Sequence, residues 1–322
     1  MFYIFSSTLT IGLIRLSETE EGVIYYVLPT EPLSSCFGNS SCPADHVCHT
    51  MDYFVGNSSE FFSPDHVSVT LIFMCGSHNY TKDLNVQNLH SFIMKGKTNS
   101  RENVIIDHGF VTQNGEPYCT LIDFFNISFV NITTMTMRCP AINLKESHIT
   151  VKSSNLYGYS GSKKTLSFIN ITSEGSQAIL DNCAFRQNCV ITSNFSDGII
   201  VNNSTFQSYR HEINSIIVAL SSVVTLTGNM NFTDSVTGTA LFLESTHPDI
   251  HNSLLNISTG ATVYFVNLVT CKYSYCVWGA VYGENGMVHI GAKVRVIFMY
   301  NAAGQRDGAV YVKNGKITVG AE

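Results

Sequence analysis

Short runs in which apolar and polar residues alternate dominate the chain, as in Lys293-Val294-Arg295-Val296 and Lys316-Ile317-Thr318-Val319, and Gly and Asn punctuate them. A period of two bounded by turn residues predicts short, half-buried strands. After residue 100 almost no stretch keeps a 3.6 period over a helix-forming length, which disfavours βαβ folds and leucine-rich horseshoes. Residues 22–98 read differently. An opening strand from Gly22 to Leu28 is followed by a Cys-rich loop. Next comes a short amphipathic turn from Thr50 to Val55, with Met51, Phe54 and Val55 on one face, and then a strand from Val67 to Met74. This region is expected to cap a longer stack, because an uncovered first coil would present unpaired strand edges.

The pattern repeats. Gly279-Ala280-Val281-Tyr282, Asn285-Gly286 and Gly291-Ala292 recur at one constant offset as Gly308-Ala309-Val310-Tyr311, Asn314-Gly315 and Gly320-Ala321. Upstream, Phe232, Phe265 and Phe298 are evenly spaced, and Leu180 to Phe185 realigns with Val201 to Phe206 after a shorter interval. Strands that recur while the unit length varies predict an all-β solenoid, in which each residue stacks on its equivalent in the next coil and insertions sit at the corners. Repeated Asn and Phe should form ladders. Residues 99–322, divided into such units, give about seven to ten coils. Gly320-Ala321-Glu322 aligns with Gly291-Ala292-Lys293, so a further strand is expected after it.

Composition then narrows the setting. The chain has 322 residues, 44% of them hydrophobic and only 13% charged, so it is neither disordered nor a charge-patterned coiled coil. With a net charge of -6 and seven Arg, it lacks the dense basic face that a nucleic-acid partner needs. Eleven Asn-x-Ser/Thr sites occur, at Asn39, Asn57, Asn79, Asn126, Asn131, Asn170, Asn194, Asn202, Asn203, Asn231 and Asn256. That is roughly twice what chance gives for a motif glycosylated in a secretory lumen. In six of them the middle residue is Ile or Phe, which strand alternation with a polar outer face would generate unaided.

Ten Cys form an even set, as expected of an oxidising compartment. Cys183 with Cys189 and Cys271 with Cys276 have the spacing of short-loop bridges, and Cys119 with Cys139 would span about one coil. Pairing among Cys36, Cys42, Cys48 and Cys75 stays open. A metal reading would rest on His46, Cys48 and His49, but no C-x-x-C occurs, and no metal or cofactor is expected. Residues 1–21 are read as a leader: Phe2 to Ile14 is mostly apolar, although no Lys or Arg precedes it and Arg15 follows. A misassigned start gives the same pattern. No window reaches the length of about 18 apolar residues that a membrane helix needs. The protein is therefore expected outside the cell or on its surface.

Gly-Ala-Val-Tyr followed by Phe298-Met299-Tyr300-Asn301 resembles the alternating motifs of polymorphic outer-membrane-protein repeats, which have Gly-Gly-Ala-aliphatic and Phe-x-x-Asn. Trp278 and Asp307 stand where the first Gly of that family stands, and Phe185-Arg186-Gln187-Asn188 repeats the second motif cleanly. Tyr25-Tyr26-Val27-x-Pro29-Thr30, Cys48-His49-Thr50 and Phe73-x-x-Gly76-x-His78 also resemble secreted right-handed β-helix proteins of invertebrates. The resemblance implies a pectin-lyase-like right-handed parallel β-helix, secreted or displayed at a surface, in a group whose functions are mostly unassigned. It supplies the handedness, which the spacing cannot.

That scaffold also carries polysaccharide lyases and hydrolases, so activity must be read from residues. Hydrolysis needs clustered carboxylates, yet the chain has no Asp-Asp pair, no Gly-His-Gly and no Arg-Ile-Lys. Ile106-Asp107-His108 with Arg138-Cys139-Pro140 is faintly similar to lyase motifs, but Asn143 occupies the second basic position, and an Asp-His dipeptide is most often an ordinary strand end. The sharper candidate is a binding loop, Cys271 to Cys276, with Tyr273, Tyr275 and the single Trp, Trp278. Aromatic faces on a pinned corner loop suit stacking against a pyranose, although a Trp beside a repeat turn more often packs over a neighbouring coil. The insertion Glu244 to Ser253, with His247, Asp249 and His251, is an ion or ligand loop or simply a solvated one. The reading that follows is a non-catalytic secreted or cell-surface solenoid for adhesion, recognition or matrix structure, with glycans or extracellular proteins as partners. A carbohydrate-active β-helix enzyme and an autotransporter-type adhesin passenger are the alternatives; ten Cys sit poorly with the latter.

Overall fold

The computed structural model describes residues 22–31, 36, 43, 48–57, 68–98, 100–108, 111–113, 116–138, 141–158, 167–187, 189–207, 210–211, 215–237, 239–245, 253–270, 279–303 and 309–320. Its chain winds as a parallel β-helix with three faces. The first face includes Ser68–Phe73, Ser91–Gly96, Gln177–Asp181, Gly198–Asn202, Val224–Thr227 and Met287–Ile290. From each of its strands the chain turns onto the second face, which runs from Gly76–Tyr80 through Thr136–Arg138, Asn155–Tyr157, Ala184–Arg186 and Thr205–Gln207 to Arg295–Met299. It then crosses the third face, as in Val190–Asn194, Ile217–Leu220, Leu241–Glu244, Val281–Glu284 and Val310–Lys313, before returning to the first one rung higher. Two long strands, Leu121–Thr133 and Ala141–Lys152, bend round one corner and join the third and first faces into a 19-stranded sheet; the second face is an 11-stranded sheet.

Register confirms the repeat at its own spacing. Val281 pairs with Val310 and Tyr282 with Tyr311, the partners that the recurring Gly-Ala-Val-Tyr names. The amide of Asn314 donates to Asn285 at 3.4 Å, and a Cβ on Gly315 would lie 2.2 Å from the carbonyl oxygen of Gly286. Only glycine lets those two backbones approach so closely. Eight first-face strands follow residue 99, within the expected range. Unit length varies more than the sequence suggests: above Ser68–Phe73, stacked first-face partners are as close along the chain as Val130 and Ile149, and as far apart as Phe92 and Val130. The second strand pattern also begins later than expected: Lys293 is itself a left-handed corner at φ 55°, and the strand starts at Arg295.

The corners give several asparagines a structural reason. One residue in the left-handed region bends the chain between faces, and Asn tolerates that region better than most side chains. Asn88, Asn126, Asn285 and Asn314 occupy the corner between the third and first faces, and Asn182 and Asn203 that between the first and second. Inside, the second face carries one continuous column: Ile106, Met137 and Leu156, then Phe185, Phe206, Phe232, Phe265 and Phe298. The phenylalanine rings stack nearly parallel at centroid separations of 4.6, 4.8, 5.0 and 5.1 Å. Each buried ring contributes about 2–3 kcal/mol by leaving water, and stacking adds about 1 kcal/mol. At the base the expected turn is a helix, Met51–Gly56, which buries Met51, Phe54 and Val55. A disulfide between Cys36 and Cys75 ties the cap to the first full rung, and Cys48 is also disulfide-bonded.

Candidate functional site

On the second face every other side chain points out, so a single outward column collects Asp107, Arg138, Tyr157, Arg186 and Gln207 from five successive rungs. The register therefore brings together Asp107 and Arg138, which the sequence offered as a faint lyase pair. They form an ion pair at 3.3 Å, with 54% of the Arg138 side chain and 30% of Asp107 exposed. Such a pair contributes about 0.2–1 kcal/mol and needs no ligand to balance it. Above it, Nη1 of Arg186 donates to the Tyr157 hydroxyl at 3.3 Å while its guanidinium lies 5.7 Å from the ring centre. Two guanidinium groups thus flank one phenol along the axis.

A groove of about 510 Å³ lies on the same rungs, lined by Ser100, Arg101, Glu102, Thr134, Ser153 and Asn182. Thr134, Ser153 and Asn182 are the left-handed corners that open the strands ending in Arg138, Tyr157 and Arg186. Arg101 fixes the opposite wall: its Nη1 donates to the Asn182 carbonyl at 3.3 Å, and its own carbonyl accepts from the Thr136 hydroxyl at 2.8 Å. Hydroxyls, an amide, a guanidinium and a carboxylate converge there, a lining suited to hydrogen-bonding a polar partner rather than to enclosing an apolar one.

The third face carries a different outward column. Asn143 donates to Asp123 at 2.9 Å, Asn170 to Asn143 at 3.3 Å, and Thr192 to Asn170 at 2.8 Å. Higher up, the same column becomes aromatic, with Phe242, Tyr282 and Tyr311 stacked at 5.1 and 5.8 Å. Tyr282, the middle ring, is buried between its two neighbours and offers no open face, whereas a sugar stacks on a face. Beside them Glu244 and Glu284 are register partners on adjacent rungs. The Tyr282 hydroxyl donates to Glu284, and Lys313 pairs with Glu284 at 2.6 Å. The Lys313 bond, seconded by Tyr282, holds the Glu284 carboxyl below its ordinary range, while burial pushes the Tyr282 phenol up. A general acid needs the opposite shift.

Tyr273, Tyr275 and Trp278, with Cys271 and Cys276, lie outside the described residues, as do Cys139, Asn39, His247, Asp249 and His251. Cys119 is disulfide-bonded. The expected bridge between Cys183 and Cys189 is corrected: both are buried thiols. The strand Ala184–Arg186 runs between them and puts them at different corners. Cys183 donates to the carbonyls of Val151 and Asp181, each at 3.3 Å, and Cys189 to that of Leu156 at 3.2 Å. Burial pushes the Cys183 thiol up to about 11 and that of Cys189 higher still, which makes both poor nucleophiles. The recurrence of Gly-Ala-Val-Tyr could have revealed the Tyr282/Tyr311 and Glu284/Lys313 pairs. The groove left no such signal, because its corners differ in residue type and are unequally spaced. Among the described residues no three His, Cys, Asp or Glu side chains are grouped to hold a metal ion, and no helix is long and apolar enough to cross a membrane. No family model matches the chain, and no curated protein matches it.

Proposed function

We propose that this protein is a secreted or cell-surface solenoid that recognises glycans or extracellular proteins through its side wall, without catalysing a reaction. The observation that carries this reading is the coincidence, on three successive rungs, of the polar groove beside Arg101 and the Arg138–Tyr157–Arg186 column, in which both arginines are exposed. The column residues are mounted on hydrogen-bonded strands and Arg101 is held by its bonds to Asn182 and Thr136, so these groups lose little freedom on binding and even a shallow site can be selective. Eleven sequons and the disulfide bonding of Cys36, Cys75, Cys48 and Cys119 support the extracellular setting. The test is binding of the purified chain to arrays of glycans and of extracellular domains. Arg101→Ala combined with Arg186→Ala should lower affinity for the selected partner at least about tenfold, the loss of one or two charge-assisted hydrogen bonds. Unchanged binding would remove the groove from the account.

The adjacency of Glu244 and Glu284 favours a second reading, a carbohydrate-active enzyme. The ion pair with Lys313 and the lowered carboxyl weigh against it. Depolymerisation of a polysaccharide by the wild type, abolished by Glu244→Gln and Glu284→Gln, would establish it.

A further inference from the structure

Two sequons overlap at one corner of the solenoid: Asn202-Asn203-Ser204 and Asn203-Ser204-Thr205. Their asparagines are adjacent in sequence but face different surroundings. Asn202 ends the strand Gly198–Asn202, and both ends of its amide are engaged along the axis. Its Nδ2 donates to Asp181 on the rung below at 2.8 Å, and its Oδ1 accepts from the Thr227 hydroxyl on the rung above at 2.9 Å. Asn203 is the corner itself, with φ 46°, and is exposed. Its Oδ1 accepts from the backbone N–H of Asn229 at 3.0 Å, which fixes the amide through the oxygen rather than the nitrogen. The next corner up is Gly228, where a Cβ would come 2.3 Å from that Oδ1, so no side chain screens Asn203 from above. Among the described sequon asparagines, Asn203 and Asn126 are the exposed ones, and the Asn126 nitrogen is already bonded to Asn88 at 2.9 Å.

We propose that Asn203, and not Asn202, carries an N-linked glycan in the folded protein. The inference rests on the extracellular reading above. The donor is a lipid-pyrophosphate-linked oligosaccharide: Asn203 Nδ2 bonds to the anomeric carbon, the bond from that carbon to the pyrophosphate oxygen breaks, the lipid pyrophosphate leaves with the electron pair, and Nδ2 gives up one proton. The Oδ1 bond to Asn229 survives this chemistry, because the carbonyl is not consumed. A sugar on Asn202 would instead stand against rungs about 4.8 Å away on either side and disturb the Asp181–Asn202–Thr227 chain. Transfer precedes folding, so the fold selects which modified chains are exported.

The test is expression of the full chain in eukaryotic secretory cells behind an added leader, with sites assigned by enzymatic deglycosylation in heavy-oxygen water. The heavy atom should mark Asn203 and leave Asn202 unmarked. Thr205→Ala ends the Asn203 sequon and keeps Asn202-Asn203-Ser204, and it should lose one glycan's mass; Asn202→Gln should keep that glycan. A mark on Asn202, a glycan moved to Asn202 in Thr205→Ala, or an unmarked Asn203 would overturn the proposal. The protein isolated from its natural source separates the two claims: no glycan there, with Asn203 marked in the expressed chain, sinks the extracellular reading and leaves the site assignment standing.

Discussion

Two ladders climb this solenoid with one side chain per rung, and they do different work. The phenylalanine ladder, Phe185 to Phe298, fills the interior behind the second face. The amide ladder, Asp123 through Asn143 and Asn170 to Thr192, runs up the outside of the third. Both obey the same backbone register, so register alone does not set their energetic weight; what differs is the water each displaces. A ring that leaves water and stacks on both faces gains several times what an amide gains by exchanging water for a neighbouring amide. The inward columns therefore hold the winding in place, and the outward columns can change chemistry along the axis. The third-face column does so, turning from amides to Phe242, Tyr282 and Tyr311 without disturbing the strands.

The largest test of that contrast is Phe232→Ala in the middle of the stack. It removes a fully buried ring from contact with Phe206 and Phe265, and should cost about 3–5 kcal/mol, read as a lowered denaturant midpoint. A cost of about 1 kcal/mol, the level of a single hydrogen bond, would erase the distinction between the ladders.

A second test uses the base of the same inward column, where His78 pairs in register with Ile106. Its Nε2–H donates to the Met74 carbonyl at 2.7 Å, and Phe73 meets the ring edge-on at 5.1 Å. Burial lowers its pKa from 6.5 to about 4. The unfolded chain then binds a proton that the folded one refuses, so stability holds above about pH 6.5, falls as the pH drops from there towards 4, and is flat again below. The full loss is on the order of 3 kcal/mol. The difference in unfolding free energy between wild type and His78→Gln, followed from about pH 7.5 down to about pH 4, checks it; a difference that does not change with pH contradicts the assignment.

The smallest effect belongs to the outer ladder. Asn143→Ala breaks two side-chain hydrogen bonds on a half-buried surface and should cost about 1 kcal/mol with no change in strand content by circular dichroism. A loss as large as that of Phe232→Ala would mean that the amides, not the rings, specify the winding.

Much of this was legible in the chain, for a definite reason. In a parallel stack, equivalent residues touch, so each recurrence, whatever its interval, translates directly into a contact: Tyr282–Tyr311, Phe265–Phe298 and Phe185–Phe206. The lower inward column escaped notice because Ile106, Met137 and Leu156 fill the same space with different shapes. Cys183 and Cys189 misled because so short a separation looks like a loop, whereas here it includes a strand that holds the two sulfurs at separate corners. The groove beside Arg101 arises from corner backbone and one overlying loop, neither of which leaves a periodic trace.

The stacking itself can be tested covalently at His289, which is exposed, and Thr318, which is half-buried, register partners whose side chains meet at 3.0 Å. Register partners on strands about 4.8 Å apart have the Cα separation a disulfide requires, whereas a slip of one residue sends the side chain to the other side of the sheet. The measurement is intact mass after mild oxidation of the double variants His289→Cys with Thr318→Cys and His289→Cys with Ile317→Cys. The account predicts a loss of two hydrogens and a reducible loop in the first pair only; no cross-link there, or equal cross-linking in both, would contradict it.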